Sequence, residues 1–293
     1  MTFTIAHLGP AGTYTEQAAQ AYAHWWAVQT QQSLPQLLPQ ASIGQSLHAV
    51  AQAQAEVAIV PVENSIEGSV TTTLDTLWQV DDLNIRQGLV LPIVHVVVSQ
   101  AEQWESVQTI YSHPQALGQC QQWLQKWLPH AEQIPVNSTT DALKYVANDT
   151  TVAAISSEPA AQLYNLPIRA YSIQDYPDNC TRFLVVSRLE CNIAIPEVPQ
   201  GQLYTSLAFS LLKNVPGALV TPLQIFAQRN INLSRIESRP TKRSLGDYVF
   251  FIDAAADFNG EPMQAALELL KTYTERLRVL GHYAILPTSP LQP

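Results

Sequence analysis

Apolar and polar positions follow two different periods along this chain. Short apolar runs occur at Phe3–Leu8, Val57–Val60, Leu89–Val98, Val107–Tyr111, Val152–Ile155 and Arg182–Val186. Between them lie stretches with apolar residues three and four apart: Thr15–Val28, Gln45–Ala53, Leu117–Trp127, Asp141–Val146 and Glu158–Tyr164. Strand-like runs alternating with helical stripes predict an α/β unit with mainly parallel strands over residues 1–190. The stripe Ala18, Ala21, Tyr22, Trp25 has helical spacing, which assigns its rings to a core. Residues 1 to about 80 form one lobe and about 100 to 165 a second, with Leu89–Val98 linking them. A cleft between two such lobes is a natural seat for a small ligand.

The pattern changes after residue 190. Gln29–Gln40, rich in Gln and Pro, already reads as a surface loop, and residues 191–202, with Pro196 and Pro199, read as a linker. Then come a strand at Leu203–Leu211, a helix at Ala218–Arg229 and strands at Ile231–Ser238 and Tyr248–Ala254. A helix at Pro262–Tyr273 and a strand at Val279–Leu286 follow. This βαββαβ order predicts an α+β, ferredoxin-like domain over residues 203–286. Residues 287–293 are expected to be a disordered tail.

The 293 residues suffice for about two domains. Charged residues make up only 13%, about half the usual share, so Gln, Ser, Thr and Asn must cover the surface, with part of it hidden in a homodimer or homotetramer. A net charge of −9 excludes a nucleic-acid backbone as partner. It leaves room for a small anion held by local N–H donors and one Arg. Cys120, Cys180 and Cys191 are an odd number without metal-like spacing, which fits a reducing, cytoplasmic setting without disulfides. The N-terminus has no signal-like segment, and the run Leu89–Val98 is too short to span a membrane.

Four loops carry candidate chemistry. Gly9-Pro10-Ala11-Gly12-Thr13-Tyr14-Thr15-Glu16 joins the first strand to the first helix, where Thr13 is either a cap or an anion contact. Pro61-Val62-Glu63-Asn64-Ser65-Ile66-Glu67-Gly68 follows a strand and aims Asn64 and Ser65 at the cleft. Tyr111-Ser112-His113-Pro114-Gln115 repeats the arrangement in the second lobe, with Pro114 in a first helical turn and Ser112 as cap or contact. Asp178-Asn179-Cys180-Thr181-Arg182-Phe183 sets a hydroxyl, a guanidinium and a ring at the entry to a strand. The guanidinium suits a carboxylate, the ring a six-membered substrate, and the hydroxyl is a donor. No loop carries a dinucleotide or P-loop fingerprint, and no His/Cys cluster suits a metal, so no cofactor and no metal are expected.

Taken together in order, the segments Gly9–Thr15, Pro61–Gly68, Ser112–Cys120 and Asn179–Phe183 resemble prephenate dehydratase. Asn214-Val215-Pro216-Gly217-Ala218-Leu219 and Glu237-Ser238-Arg239-Pro240 look like the two signatures of that family's ACT domain. With the first dehydratase strand beginning at Phe3, the monofunctional form is expected. The resemblance implies a two-lobed, periplasmic-binding-protein-like catalytic domain followed by an ACT regulatory domain. It implies conversion of prephenate to phenylpyruvate with loss of carbon dioxide and water, Thr181 assisting departure of the hydroxyl. Thr13, Asn64, Ser65, Ser112, Gln115 and Asn179 would supply neutral donors to the substrate. Arg182 would either bind a carboxylate or pair structurally, and Phe183 would either border the ring pocket or pack in the strand core. L-Phenylalanine, the expected effector, would sit against Asn214, Pro216, Gly217, Ala218 and Leu219, with Glu237, Ser238 and Arg239 closing the site across a subunit boundary. Two alternatives share these features: an arogenate dehydratase, and a non-catalytic two-lobed binding protein with an ACT sensor.

Overall fold

The computed structural model describes residues 3–191, 193–198 and 201–286. The expected tail at 287–293 and linker positions 192, 199 and 200 lie outside the described residues.

The first lobe is built on a mixed sheet. Thr4–Leu8 pairs in parallel with Gln36–Gln40 on one side and Val57–Asn64 on the other. Cys180–Arg188 then inserts antiparallel between Val57–Asn64 and Leu83–Pro92. The helix Tyr14–Thr30 covers one face, burying Ala18, Ala19, Tyr22 and Trp26 against Ile5, Ile59 and Phe183. Helices Ile43–Ala51 and Thr71–Gln79 cover the other, with Leu47, Leu74 and Leu77 against Ala58, Val60 and Val186.

The second lobe is a five-stranded sheet ordered Ile168–Ala170, Val96–Ser99, Val152–Ser156, Thr109–Ser112, Glu132–Pro135. Its strands are also mixed in direction, two pairs antiparallel and two parallel. The apolar run expected as one strand, Leu89–Val98, is in fact two. Leu83–Pro92 belongs to the first sheet and Val96–Ser99 to the second, the break falling where Pro92 ends ladder donation. The chain crosses here and returns before Cys180, so two crossings frame the cleft.

Gln36–Gln40, expected as loop, is an edge strand. An edge needs donors on one side only, so Pro39 is tolerated and the outer side chains stay polar. The linker also departs from expectation. Ile193, Ile195 and Val198 pack on the first lobe, Trp26 Nε1 donates to the Ala194 carbonyl at 3.0 Å and Gln87 Nε2 donates to that of Pro196 at 2.7 Å.

The C-terminal unit has the expected βαββαβ order, its sheet running Leu233–Pro240, Tyr248–Ala254, Leu203–Leu211, Thr274–Leu286, all antiparallel. Helices Val220–Ala227 and Glu261–Leu270 cover one face through Ile225, Phe226, Met263 and Leu267. The other face is not free. Ala208, Val249, Phe251, Leu280 and Tyr283 share a core with Leu74, Leu77 and Val186 of the first lobe. Burying a Phe or Leu there stabilises by about 1.5–3 kcal/mol each. The sheets are also continuous, because Thr274–Leu286 pairs in parallel with Leu83–Pro92. Gly281 makes this possible: a Cβ there would lie 2.3 Å from the Ile85 carbonyl oxygen. Arg278 donates to the carbonyls of Trp78, Val80 and Asp81, closing the C-terminus of helix Thr71–Gln79.

Candidate active site

A cleft of about 500 Å³ separates the lobes, lined among others by Thr13, Asn64, Glu67, His95, Gln115, Gln119, Thr181 and Phe183. Strand geometry explains which part of Thr181-Arg182-Phe183 reaches it. Alternate side chains point to opposite faces, so Thr181 and Phe183 share the cleft side and Arg182 takes the other. Phe183 is 1% exposed, so its ring is both cleft wall and core.

Asn64 is the hub. Its register partner is Thr181. The Asn64 Nδ2 donates to Thr181 Oγ1 at 3.0 Å, Asn179 Oδ1 at 2.9 Å and the Cys180 carbonyl at 3.1 Å. The Asn64 Oδ1 accepts from the backbone N–H groups of Ile66 and Glu67 at 3.0 Å each, fixing the loop. Because Thr181 Oγ1 already accepts a hydrogen bond from Asn64, its own O–H is left to donate into the cleft.

The other expected residues are placed unequally. Thr13 lines the cleft and also caps the first helix, its Oγ1 accepting from the Glu16 N–H at 3.3 Å. Gln115 lines the cleft. Asn179 is buried, and its Nδ2 donates to Gln119 Oε1 at 2.8 Å. Ser65 braces that same loop by accepting from the Cys180 N–H at 3.0 Å, and it is not among the cleft-lining residues. Ser112 does not reach the cleft either: it is fully buried and donates to the Ile155 carbonyl at 2.7 Å, tying two strands together. Arg182 points away from the cleft and pairs with Glu63 at 2.6 Å and Asp253 at 2.9 Å. With both carboxylates satisfied, its guanidinium is not available to a substrate.

Several lining residues were not foreseen. His95 Nε2 faces Gln119 Oε1 at 3.1 Å, and its Nδ1 faces the Tyr14 hydroxyl at 3.1 Å. Burial holds the His95 pKa below the usual histidine value; the ring donates through Nε2 to Gln119, and the Tyr14 hydroxyl beside its Nδ1 donates to the Val94 carbonyl at 2.7 Å. The Gln119 Nε2 donates to Glu67 Oε1 at 3.3 Å. The only sequence signal for Gln119 was its position one turn after Gln115 on the same short helical stretch. Thr71 and Thr72 line the cleft at the start of helix Thr71–Gln79, whose Val70 cap offers no side-chain acceptor. The Thr73 N–H bonds the Val70 carbonyl at 3.1 Å, which leaves the N–H groups of Thr71 and Thr72 to meet an anion. No Arg or Lys is among the lining residues. An anion here is met by hydroxyls, amides and a helix N-terminus. Among the described residues, no group of His, Cys, Asp or Glu is arranged to hold a metal.

The lobes touch across the cleft mouth. Ser157 Oγ donates to the Gly12 carbonyl at 3.0 Å, and Gly12, at φ +87°, has no room for a Cβ beside Ala160 at 2.9 Å.

In the C-terminal unit, Asn214 Nδ2 donates to the Gly246 carbonyl at 2.9 Å and lines a cavity of about 300 Å³ with Lys213, Arg243 and Tyr248. Gly217, at φ +81°, opens onto free space, while Leu219 packs on the unit's core. Glu237 and Arg239 face the first lobe instead: Glu237 accepts from Ser69 Oγ at 3.0 Å, and Arg239 pairs with Asp75 at 3.1 Å. Within one chain the two signatures do not share a pocket, since Arg239 lines a neighbouring cavity with Asp75 and Trp78.

A two-lobed cleft lined mainly by hydroxyls and amides, fused to a ferredoxin-like unit with its own small cavity, defines a small-molecule-binding protein with a second, separate site. Comparison with known proteins makes the class specific. The prephenate dehydratase family model matches residues 5–191 and the ACT domain model residues 205–268. The chain is 39% identical over 279 residues to the bifunctional chorismate mutase/prephenate dehydratase of Aquifex aeolicus, covering 95% of this chain and 73% of that protein. It is 40% identical over 232 residues to the prephenate dehydratase of Methanocaldococcus jannaschii, covering 78% and 81%. Among solved structures, the prephenate dehydratase of Arthrobacter aurescens in complex with L-Phe superposes with a TM-score of 0.84 at 35% identity, covering 99% of this chain and 92% of that one. The chain belongs to the prephenate dehydratase family.

Proposed function

We propose that this chain converts prephenate to phenylpyruvate, releasing carbon dioxide and water, in the cytoplasm as a homo-oligomer. The observation that carries the reading is Thr181: its hydroxyl lies at the cleft, held by Asn64 at 3.0 Å with its proton free. Aromatisation drives the reaction, so the enzyme has two tasks. It aligns the ring carboxylate for decarboxylation and stabilises the departing hydroxyl. Threonine is a weak acid, so its contribution is a hydrogen bond that strengthens as charge builds on the leaving oxygen. The N–H groups of Thr71 and Thr72, at the start of helix Thr71–Gln79, offset the carboxylate charge without a buried cation. Phe183 gives the ring an apolar wall.

L-Phenylalanine is the proposed effector of the C-terminal unit, with Asn214 to Leu219 as its first contacts. The Arthrobacter relative, solved with L-Phe, supports this. Exposed Leu212, Val215, Val220 and Ile236 on that unit, and its Leu233–Pro240 edge strand, are suited to pairing with a second copy. The test of the reaction is to offer purified protein prephenate and arogenate separately and identify the aromatic product. Phenylpyruvate from prephenate supports the reading; phenylalanine from arogenate alone replaces it with arogenate dehydratase.

A further inference from the structure

Thr181 and Asn64 face each other on adjacent strands, and so do Arg182 and Glu63. The first pair meets on the cleft side of the sheet through the 3.0 Å hydrogen bond, the second on the reverse side through a 2.6 Å ion pair. One guanidinium thus clamps, from behind, the two backbone segments that carry the cleft hydrogen bond. That guanidinium is anchored in turn by the C-terminal unit: Arg182 Nη2 lies 2.9 Å from Asp253 Oδ2. Asp253 is 2% exposed at its side chain, accepts from Ser206 Oγ at 2.5 Å and pairs with Arg235 at 2.8 Å. Arg235 sits on the edge strand Leu233–Pro240, two residues before Glu237.

We propose that Arg182 and Asp253 are positioning residues for the dehydration, holding Thr181 and Asn64 in register and making the C-terminal unit part of the catalytic geometry. This rests on the dehydratase reading. Neither residue touches substrate, and neither exchanges a proton. Burial alone would raise the Asp253 carboxyl, but Arg235 and Arg182 outweigh it and hold the group below the usual carboxylate range. It therefore stays an anion, as an anchor for two guanidiniums must. Arg182 reaches both carboxylates from one nitrogen, Nη2, at the far end of its guanidinium; a lysine side chain is shorter and sets its ammonium short of that position. Misplacement of a reacting group by about 1 Å costs up to roughly 100-fold in rate. The same chain of contacts gives the edge strand a route to Thr181 through Arg235 and Asp253.

The test compares Arg182→Lys and Asp253→Asn with wild type in the full chain. Each is assayed for kcat and KM on prephenate at a temperature well below its own melting point, with folding checked by near-UV circular dichroism. Asp81→Asn is the control, because it weakens a different contact between the same two units, the pairs with Arg276 and Arg278, beside the Arg188 end of strand Cys180–Arg188 and at the opposite end from Thr181. The expected result is a roughly 10- to 100-fold loss in kcat for both variants with KM within about two-fold, and unchanged kcat for the control. Full kcat in either folded variant, with only a lower melting temperature, overturns the positioning role and leaves the dehydratase reading intact. If a variant does not fold, Glu63→Gln, which weakens the same clamp from the half-exposed side, replaces it, and unchanged kcat there overturns the proposal equally. No turnover of prephenate by wild type overturns both.

Discussion

Replacing Thr181 by Val separates what this residue does for the fold from what it does for the reaction. Valine keeps the branched shape and removes one oxygen. In the fold, that oxygen only accepts from Asn64 Nδ2, which still reaches Asn179 Oδ1 at 2.9 Å and the Cys180 carbonyl at 3.1 Å. No donor is stranded, so the stability cost stays within about 1 kcal/mol. In the reaction, the same oxygen is the donor aimed at the departing hydroxyl. Loss of such a donor costs about 2.7–4 kcal/mol, or roughly 100- to 1,000-fold in turnover. Thr181→Val should therefore melt within a few degrees of wild type, keep KM for prephenate within a few-fold and lose kcat by at least roughly 100-fold. Phenylpyruvate is followed by its enolate absorbance in alkali, and stability by a thermal melt. A folded variant turning over within about five-fold of wild type would refute the role assigned to Thr181, the expected loss being far larger.

Other outcomes follow from the contacts between lobes and units. Gly281→Ala drives a methyl into the Ile85 carbonyl at 2.3 Å, a backbone neighbour that has to move, and should cost at least about 1–3 kcal/mol in urea unfolding; an unchanged midpoint would contradict the close strand approach. Truncation after residue 201 strips the cover from Leu74, Leu77 and Val186 and the partner from strand Leu83–Pro92. The fragment should aggregate or melt without cooperativity, and a soluble fragment with a sharp melt would argue for an independent catalytic unit. Burial lowers the pKa values of His7 and His95, so the folded chain binds fewer protons than the unfolded one as pH drops. Their contribution is full above about pH 6.5 and is lost as pH falls through the depressed folded values. The melting temperature should fall as pH drops below about 6.5, and His95→Gln should flatten that fall; an identical slope would exclude His95.

Much of this molecule is readable in its sequence, for identifiable reasons. Thr4–Leu8 and Val152–Ser156 are short apolar runs that a buried strand requires, and the C-terminal βαββαβ order follows from a plain change of period. Gln36–Gln40 was missed because an edge strand obeys weaker rules. Helix Thr71–Gln79 opens on three threonines, poor helix formers. It is held instead by burial of Leu74 and Leu77 and by Arg278, about 200 residues downstream. In the cleft, Thr13, Asn64 and Thr181 announced themselves as polar residues at strand ends. Ser112 has the same local signature but turns inward, and no local pattern tells the two apart. Arg182 was ambiguous because its partner Asp253 lies in another unit. His95, Gln119 and Glu67 come together only through the lobe crossing, a relation between distant segments.

The most direct test of the central claim is a single stoichiometry. Purified wild-type protein is mixed with prephenate at neutral pH, and phenylpyruvate and carbon dioxide are measured together over time. The account requires both to appear in equal amounts, at a rate proportional to enzyme and far above the enzyme-free control. Prephenate that binds and is recovered unchanged, with neither product above the control, would make this a binding protein and contradict the account.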